Sequence, residues 1–135
     1  MILVIDANPF IAGFLRNSTS RQIIMSEKTF LYSPDWLVDE FDRNEAELME
    51  RFSDSAGFFE TKRILFKFVK IVPKQEYSKC MEEASRLAKH TKDAPYFALA
   101  LLLNCPIWSD EKSFKQQSNV KILSTEEIVK LLNPS

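Results

Sequence analysis

Short apolar runs that alternate with helical stretches constrain the fold of this chain more than any other feature. They follow one another as ILVI at 2–5, TFLY at 29–32, VKIV at 69–72, PIW at 106–108 and VKIL at 120–123. Nearly continuous apolar character is typical of strands buried on both faces of a parallel sheet, and parallel strands need crossover connections, usually helices. We therefore predict an α/β fold, a three-layer α/β/α sandwich with a central parallel sheet of about five short strands.

The length and composition of the chain favour one globular domain. With 135 residues, 45% of them hydrophobic and 11 Phe, the chain can build one sizeable core. No apolar run approaches the roughly 20 residues of a membrane span, and the first residues do not have the pattern of a secretory signal. We expect a single domain over residues 1–135 and a cytoplasmic location.

Capping residues and apolar periodicity predict where the helices lie. Asn8–Pro9 suits the N-cap and first position of a helix, and Ser124–Glu127 has the pattern of a capping box for the C-terminal helix. Residues 74–90 are predicted to be helical. One long helix is predicted over residues 34–52, where an apolar stripe recurs at helical spacing: Leu37, Phe41, Leu48 and Phe52.

Acidic residues stand at four places that such a fold can bring together. Asp6 follows the first apolar run, and Asp110–Glu111 follow PIW. Glu40 borders the apolar stripe of a predicted helix, and Asp93 opens a helix that is apolar nearly all round. The carboxyl ends of parallel strands meet at one edge of a sheet, where α/β proteins hold their ligands. Convergent carboxylates at that edge would bind a hard divalent cation.

Each of these acids also has a structural explanation. A carboxylate next to a buried strand is unfavourable unless a cation or hydrogen bonds compensate it, so a functional role is favoured for Asp6. Glu40, Asp110 and Glu111 are equally compatible with ordinary helix-surface or first-turn acids. Taken by itself, Asp93 is explained by the favourable interaction of an acid with a helix N-terminus. A functional role for Asp93 is supported by its occurrence together with the other acids.

The nearly even charge balance does not exclude a nucleic-acid substrate. The chain has 18 Lys and Arg against 19 Asp and Glu, so it lacks the overall basic charge of many nucleic-acid-binding proteins. Bound divalent cations would reverse the sign of an acidic pocket locally. RNA therefore remains a candidate ligand.

Four segments resemble the PIN domain in order and spacing, over essentially the whole chain. They are ILVIDANPFIAGFL, PDWLVDEF, TKDAPYFALALLLNCPIWSDEKSF and VKILSTEEIVKLL. The family has an Asp after the first strand, a Glu in the helix after the second, an Asp before an Ala-rich helix and an acid after the following strand. The residues at these places are Asp6, Glu40, Asp93 and Asp110 or Glu111.

The resemblance implies a Mg²⁺- or Mn²⁺-dependent ribonuclease. Many members of the family are toxins of toxin–antitoxin pairs related to the VapC group, which typically form homodimers and are inhibited by an antitoxin protein. We expect Asp6 and Asp93 to bind a first metal ion and Glu40 to orient or deprotonate the attacking water. Asp110 or Glu111 would complete a second metal position, and the predicted metal ligands are Asp6, Asp93 and Asp110.

The last family motif departs from its usual form in this chain. The usual form is Thr or Ser, any residue, then Asp, and here Glu111 is in register with that Asp while Asp110 fills the variable position. Either carboxylate can serve as the fourth acid. Asn8 and Ser109 match polar positions of the family and are predicted to support the site, although Asn8 also suits an N-cap.

Basic residues flank two of the acidic segments. Lys89, Lys92 and Lys112 are candidates for the rim of the site, where they would hold RNA phosphates. His90 is the single histidine, and without Cys partners it favours neither a zinc site nor a Ser–His–Asp triad.

Two other function classes compete with the nuclease. A non-catalytic module that keeps the fold and binds a protein or RNA would explain the irregular last motif. A receiver-like protein with Asp6 as phosphoryl acceptor is disfavoured, because Asp6–Ala7–Asn8 lacks a second Asp. Apolar residues of the first two helices exceed what a small sheet needs and predict an exposed partner surface: Phe10, Phe14, Ile23 and Ile24.

Overall fold

The structure is built around a parallel sheet. The computed structural model describes residues 1–52 and 54–133. In that part of the chain the sheet has five strands, each parallel to its neighbours, in the order β3-β2-β1-β4-β5. The strands are β1 (Ile2–Ile5), β2 (Phe30–Pro34), β3 (Val69–Val72), β4 (Ile107–Trp108) and β5 (Ile122–Leu123). The predicted α/β fold with a central parallel sheet is confirmed.

Helices flank the sheet and form the connections between its strands. Over residues 1–52 and 54–133 the α-helices are α1 (Ala7–Leu15), α2 (Thr19–Ile24), α3 (Trp36–Arg43), α4 (Glu45–Arg51), α5 (Phe58–Phe66), α6 (Lys74–Tyr77), α7 (Met81–Leu87), α8 (Ala94–Leu103) and α9 (Thr125–Leu132). Short 3-10 turns lie at Ser55–Gly57, Ser78–Cys80, Thr91–Asp93 and Lys112–Gln116. None of the helices described is both long and apolar enough to cross a membrane.

Two predicted helices are interrupted. The helix expected over residues 34–52 is divided at Asn44 into α3 and α4, while the apolar stripe still faces the core. The Asn44 side-chain amide donates to the carbonyl oxygen of Glu40 at 2.8 Å, a local hydrogen bond that competes with helix continuation. Residues 74–90 are likewise divided into α6, a 3-10 turn and α7.

The cap predicted for the C-terminal helix is confirmed, and the cap predicted for the first helix is wrong. Ser124 and Glu127 form the predicted capping box of α9. Helix α1 begins at Ala7 with Asp6 as its N-cap, so the prediction that Asn8 is the N-cap is wrong. The Asp6 carboxylate accepts from the Ala7 backbone N–H at 2.8 Å, and an acid at this position is also favoured by the helix dipole.

The apolar residues of the first two helices are buried, so the prediction of an exposed partner surface there is wrong. Those of α1 belong to an aromatic cluster that Phe10 and Phe14 form with Phe41, Phe52 and Phe58. Phe10, Phe14, Ile23 and Ile24 are all buried. The ring centroid of Phe14 lies 5.0 Å from those of Phe41, Phe52 and Phe58. Helix α1 packs on α3 and α5, while α2 packs on α1 and α9, and these contacts supply the apolar partners that local periodicity could not reveal.

The aromatic cluster generates a stability prediction. Replacing Phe41, which is fully buried, by Ala should lower the free energy of unfolding by about 3–5 kcal/mol, because several aromatic neighbours lose their contacts. Phe59→Ala is the matched control, since Phe59 is 57% exposed and should change stability by about 0.5 kcal/mol. Urea unfolding of both variants measures the difference. Equal losses would contradict this description of the core.

Candidate active site

Two neighbouring strands end side by side at the carboxyl edge of the sheet. Ile5 of β1 pairs with Trp108 of β4, and the Asp6 backbone N–H donates to the Trp108 carbonyl oxygen at 3.0 Å. Asp6 and Ser109 are therefore the first residues beyond the two strands. The Ser109 hydroxyl donates to Asp6 Oδ2 at 2.8 Å and accepts from the Glu111 backbone N–H at 3.1 Å. Ser109 thus joins the turn after β4 to the turn after β1.

A pocket of about 280 Å³ opens at this edge, and we call it the acidic pocket. It brings together carboxylates from four segments that are distant in sequence, together with Asn8 and two basic residues. The charged residues that line it are Asp6, Glu40, Asp93, Glu111, Arg51 and Lys92. The convergence follows from the fold, because β1, α3, the turn before α8 and the loop after β4 all reach the same edge.

Asp6 is the most deeply buried of these acids. Its residue is 4% exposed, and the two carboxylate oxygens accept from Ala7 N–H and the Ser109 hydroxyl. Burial raises the pKa of Asp6 to about 7, and the negative charges of Asp93 and Glu40 add to the increase. The two hydrogen bonds act in the opposite direction and are outweighed.

Glu40 is held by a tyrosine that the sequence interpretation missed. The Tyr96 hydroxyl of α8 donates to Glu40 Oε1 of α3. Burial raises the pKa of Glu40, the Tyr96 hydrogen bond lowers it, and the charges of Lys92 and Asp93 shift it in opposite directions. Tyr96 is buried, so this bond supplies the hydroxyl with a partner. A polar group within an otherwise apolar helix, three residues after Asp93, is the signal that could have indicated it.

Asp93 ends the 3-10 turn that precedes α8 and is also buried. Burial is the largest cause of its raised pKa, and Glu111 raises it further through charge repulsion. Lys92 and His90 lower the pKa of Asp93 through attraction. The carboxylates of the pocket therefore oppose one another's ionisation, and neighbouring cations partly offset this effect.

The structure places the two alternatives for the fourth acid in different surroundings. Glu111 lines the acidic pocket, whereas Asp110 is not among the residues that line it. Asp110 accepts two hydrogen bonds from Thr125 at the start of α9, from its backbone N–H at 2.8 Å and its hydroxyl at 2.6 Å. Thr125 also accepts from the Trp108 indole N–H at 2.9 Å. Asp110 is thus engaged in joining α9 to the end of β4.

The basic residues near the site are only partly those predicted. Lys92 lines the acidic pocket, while Lys89 and Lys112 are exposed and are not among its lining residues. Arg51, at the end of α4, also lines the pocket and was missed. Arg51 belongs to α4, the helix that follows the break at Asn44.

The donor set of the acidic pocket suits a hard divalent cation. Carboxylate oxygens and a nearby amide are the ligands that Mg²⁺ and Mn²⁺ take, and a cation would offset both the burial and the mutual repulsion that raise the pKa values of Asp6 and Asp93. Over residues 1–52 and 54–133, no group of three or more His, Cys, Asp or Glu side chains is placed so that it could hold an ion directly. Mg²⁺ commonly keeps several waters and takes one or two protein carboxylates, a mode that this pocket fits.

The raised pKa of Asp6 predicts how stability depends on pH without divalent cations. Above its unfolded value of 3.8 the native state holds the proton more tightly, so the folded state loses stability as pH rises towards about 7. Asp6→Asn removes this effect and keeps an N-cap residue, and it should stabilise the protein at pH 8 by up to about 4 kcal/mol relative to wild type. Urea unfolding in chelator at pH 5 and pH 8 measures it. A pH-independent difference between the two proteins would contradict the assignment.

Comparison with known proteins agrees with the fold. A family model described as the PIN domain matches residues 4–133. A chain in the crystal structure of VapBC2 from Rickettsia felis bound to a DNA fragment from their promoter has a similar fold, with a TM-score of 0.67 over 92% of this chain and 98% of that chain. The two are 11% identical, so this likeness concerns the fold alone. No curated protein matches the chain at a significant level. Because the family model spans nearly all of its length, the chain belongs to the PIN domain family.

Proposed function

We propose that the chain is a Mg²⁺- or Mn²⁺-dependent endoribonuclease that hydrolyses RNA phosphodiester bonds in the acidic pocket. The observation that carries this proposal is the burial of Asp6 beside Glu40 and Asp93, with the pKa of each raised by burial and by a neighbouring carboxylate. Such an arrangement is unfavourable without a cation and is typical of functional sites. PIN domains are usually metal-dependent nucleases, which agrees with this chemistry.

Asp6 and Asp93 are the residues proposed to hold the metal ion. Both are buried, and both lie at the ends of elements that the sheet fixes in place. Hydrogen bonds from Ala7 and Ser109 hold the Asp6 carboxylate in one orientation, which prepares its oxygens for a ligand. A bound Mg²⁺ or Mn²⁺ would supply an activated water and would stabilise the charge on the scissile phosphate.

Glu40 is proposed to orient the attacking water and to accept its proton. One of its carboxylate oxygens accepts from Tyr96, and its side chain lines the pocket with Asp6 and Asp93. A raised pKa makes a carboxylate a better proton acceptor near neutral pH, as long as it remains ionised. Lys92 favours the ionised form by attraction.

Glu111 is proposed as the fourth acid in place of Asp110. It lines the pocket and raises the pKa of Asp93, whereas Asp110 is engaged by Thr125. The longer side chain of Glu111 allows it to reach a second ion or its water from the loop after β4. Lys92 and Arg51 are proposed to contact the phosphates on either side of the cleaved bond.

The proposal extends to a toxin–antitoxin pair in which this chain is the toxin. It would form a homodimer and be inhibited by an antitoxin protein. Membership of the PIN family and the fold similarity to a chain of VapBC2 support this biological role. A small DNA-binding protein encoded immediately upstream would be the discriminating observation.

Single substitutions of the acids should separate the two candidates for the fourth acid. Asp6→Asn, Asp93→Asn and Glu111→Gln should each lower the rate of RNA cleavage by about 100-fold or more, because each removes a charge from the metal site. Asp110→Asn is the matched control and should retain activity within a few fold. Single-turnover cleavage of a labelled single-stranded RNA, with Mg²⁺ or Mn²⁺ and with chelator, measures these rates.

The outcomes also distinguish a second candidate function, a non-catalytic binding module. That function is favoured by the lack of a ready-made group of three metal ligands over residues 1–52 and 54–133. Full activity in Asp6→Asn and Asp93→Asn would remove the acidic pocket from the reaction. No cleavage by the wild type, together with no rise in melting temperature at millimolar Mg²⁺ or Mn²⁺, would establish the binding module instead.

The Tyr96 hydrogen bond predicts a shift in the pH dependence of cleavage. Because this bond lowers the pKa of Glu40, Tyr96→Phe should raise that pKa and move the acid limb of the kcat/KM profile to higher pH. The rate on the alkaline plateau should change less than the rate below the limb. The acids titrate together, so the comparison uses the apparent midpoint of the profile and not a value for one residue. An unchanged midpoint in a folded Tyr96→Phe protein would contradict this role.

A further inference from the structure

A second, larger pocket adjoins the acidic pocket. Its volume is about 510 Å³, within the range of small-molecule sites. Apolar and aromatic side chains form one part of its wall, including Trp36, Tyr77 and Met81, and charged residues form the rest. Lys92 lines both pockets, so it stands at the boundary between them.

We propose that this second pocket binds the base of the nucleotide next to the cleaved bond, with a preference for guanine. The inference rests on the proposed ribonuclease function. A phosphate held by Lys92 at the boundary would leave one neighbouring nucleotide in the acidic pocket and the other in the second pocket. Because the two pockets share Lys92, an RNA strand bound in the acidic pocket would continue into the second pocket, so a nucleotide of the substrate is the proposed occupant.

Trp36 provides an aromatic wall for such a base. It begins α3 and is half-buried, and the guanidinium of Arg43 lies 4.8 Å from its ring centroid. The indole Nε1 is buried without a hydrogen-bond partner among the residues described. Bases of single-stranded RNA commonly stack on aromatic side chains and on Arg guanidinium planes. Trp36 and Arg43 together offer both kinds of surface.

The charges of the second pocket favour an anionic ligand with hydrogen-bond donors. Arg43, Lys74 and Lys92 outnumber its two acids, Asp35 and Asp39. Asp35 is already engaged, since it accepts from the Tyr77 hydroxyl at 2.6 Å and the Lys74 backbone N–H at 3.0 Å. The net positive lining suits a phosphate.

Asp39 is the group that would recognise the base. It lines the second pocket and is exposed, and its side chain makes no hydrogen bond or ion pair with the residues at 1–52 and 54–133, so its oxygens are open to a ligand. A carboxylate can only accept, so it selects ligands that donate. Guanine presents adjacent N1–H and amino donors on its Watson–Crick edge, whereas uracil presents one donor there. A carboxylate with two oxygens therefore matches guanine best.

Tryptophan fluorescence tests this site without any cleavage. The chain has 2 Trp. Trp108 is fully buried and lines neither pocket, and its indole N–H donates to Thr125, so the change in emission that is lost in Trp36→Phe reports on Trp36. The probes are GMP, AMP, CMP and UMP, and single-stranded hexanucleotides with one guanine or none, all in chelator. We expect GMP and the guanine-containing RNA to quench most strongly. Trp36→Phe should abolish the response.

Two matched variants of α3 test whether Asp39 forms the hydrogen bonds that select guanine. Asp39→Asn should weaken GMP binding by about tenfold and reduce the difference between GMP and UMP, because the acceptor pair is replaced by one acceptor and one donor group. Asp42→Asn is the control, since Asp42 lies on the same helix and is exposed like Asp39, but it pairs with Lys62 and is not among the residues that line the second pocket. It should leave GMP binding unchanged.

The possible results separate this site from the proposed nuclease activity. Guanine-selective quenching that Asp39→Asn weakens and Asp42→Asn does not would support the site, even if no cleavage were found. No quenching by any nucleotide, or equal effects of the two variants, would overturn it even in an active ribonuclease. Quenching by an arginine-containing peptide but by no nucleotide would also overturn it and would identify a protein segment as the occupant.

Discussion

The burial of Asp6 at the carboxyl end of the central strand is the constraint on which the rest of the site depends. A carboxylate that is 4% exposed needs compensation, and the chain provides hydrogen bonds from Ala7 and Ser109. These bonds do not balance burial and the nearby acids, because the pKa of Asp6 is still raised to about 7. The remaining compensation has to come from a proton or a cation. The surrounding elements are arranged so that either can reach the carboxylate.

The sheet order explains why so many distant segments reach Asp6. Strand β1 is central, β2 leads into α3 on one side, and β4 lies on the other. Helix α8 packs on all three of these strands, and this helix carries Tyr96 and follows Asp93. One apolar helix therefore fixes an acid at its start and a hydroxyl donor one turn later. A shift of α8 would disturb the site at both places.

The sequence could predict the features that depend on local pattern, and it failed where partners lie far apart in the chain. Short apolar runs predicted the parallel sheet, and carboxylates next to them predicted that Asp6 and either Asp110 or Glu111 would meet at its edge. Thr125 engages Asp110 from 15 residues further on, and because no local pattern reveals that contact the sequence left Asp110 and Glu111 as alternatives. Tyr96 was missed because its partner Glu40 is 56 residues away. The burial of α1 likewise depends on phenylalanines from distant segments, and that of α2 depends on α9 at the far end of the chain.

Under the proposed function, the position of Lys92 would link RNA binding to the ionisation of the acids. Its charge lowers the pKa of both Glu40 and Asp93, so it helps to keep these carboxylates ionised. A phosphate bound to Lys92 would neutralise that charge and favour protonation of the same acids. A divalent cation in the acidic pocket would reverse this effect and would also attract the phosphate. The electrostatics of the pocket therefore predict that RNA and the cation bind more tightly together than either does alone, as thermodynamic linkage requires of mutually favourable ligands.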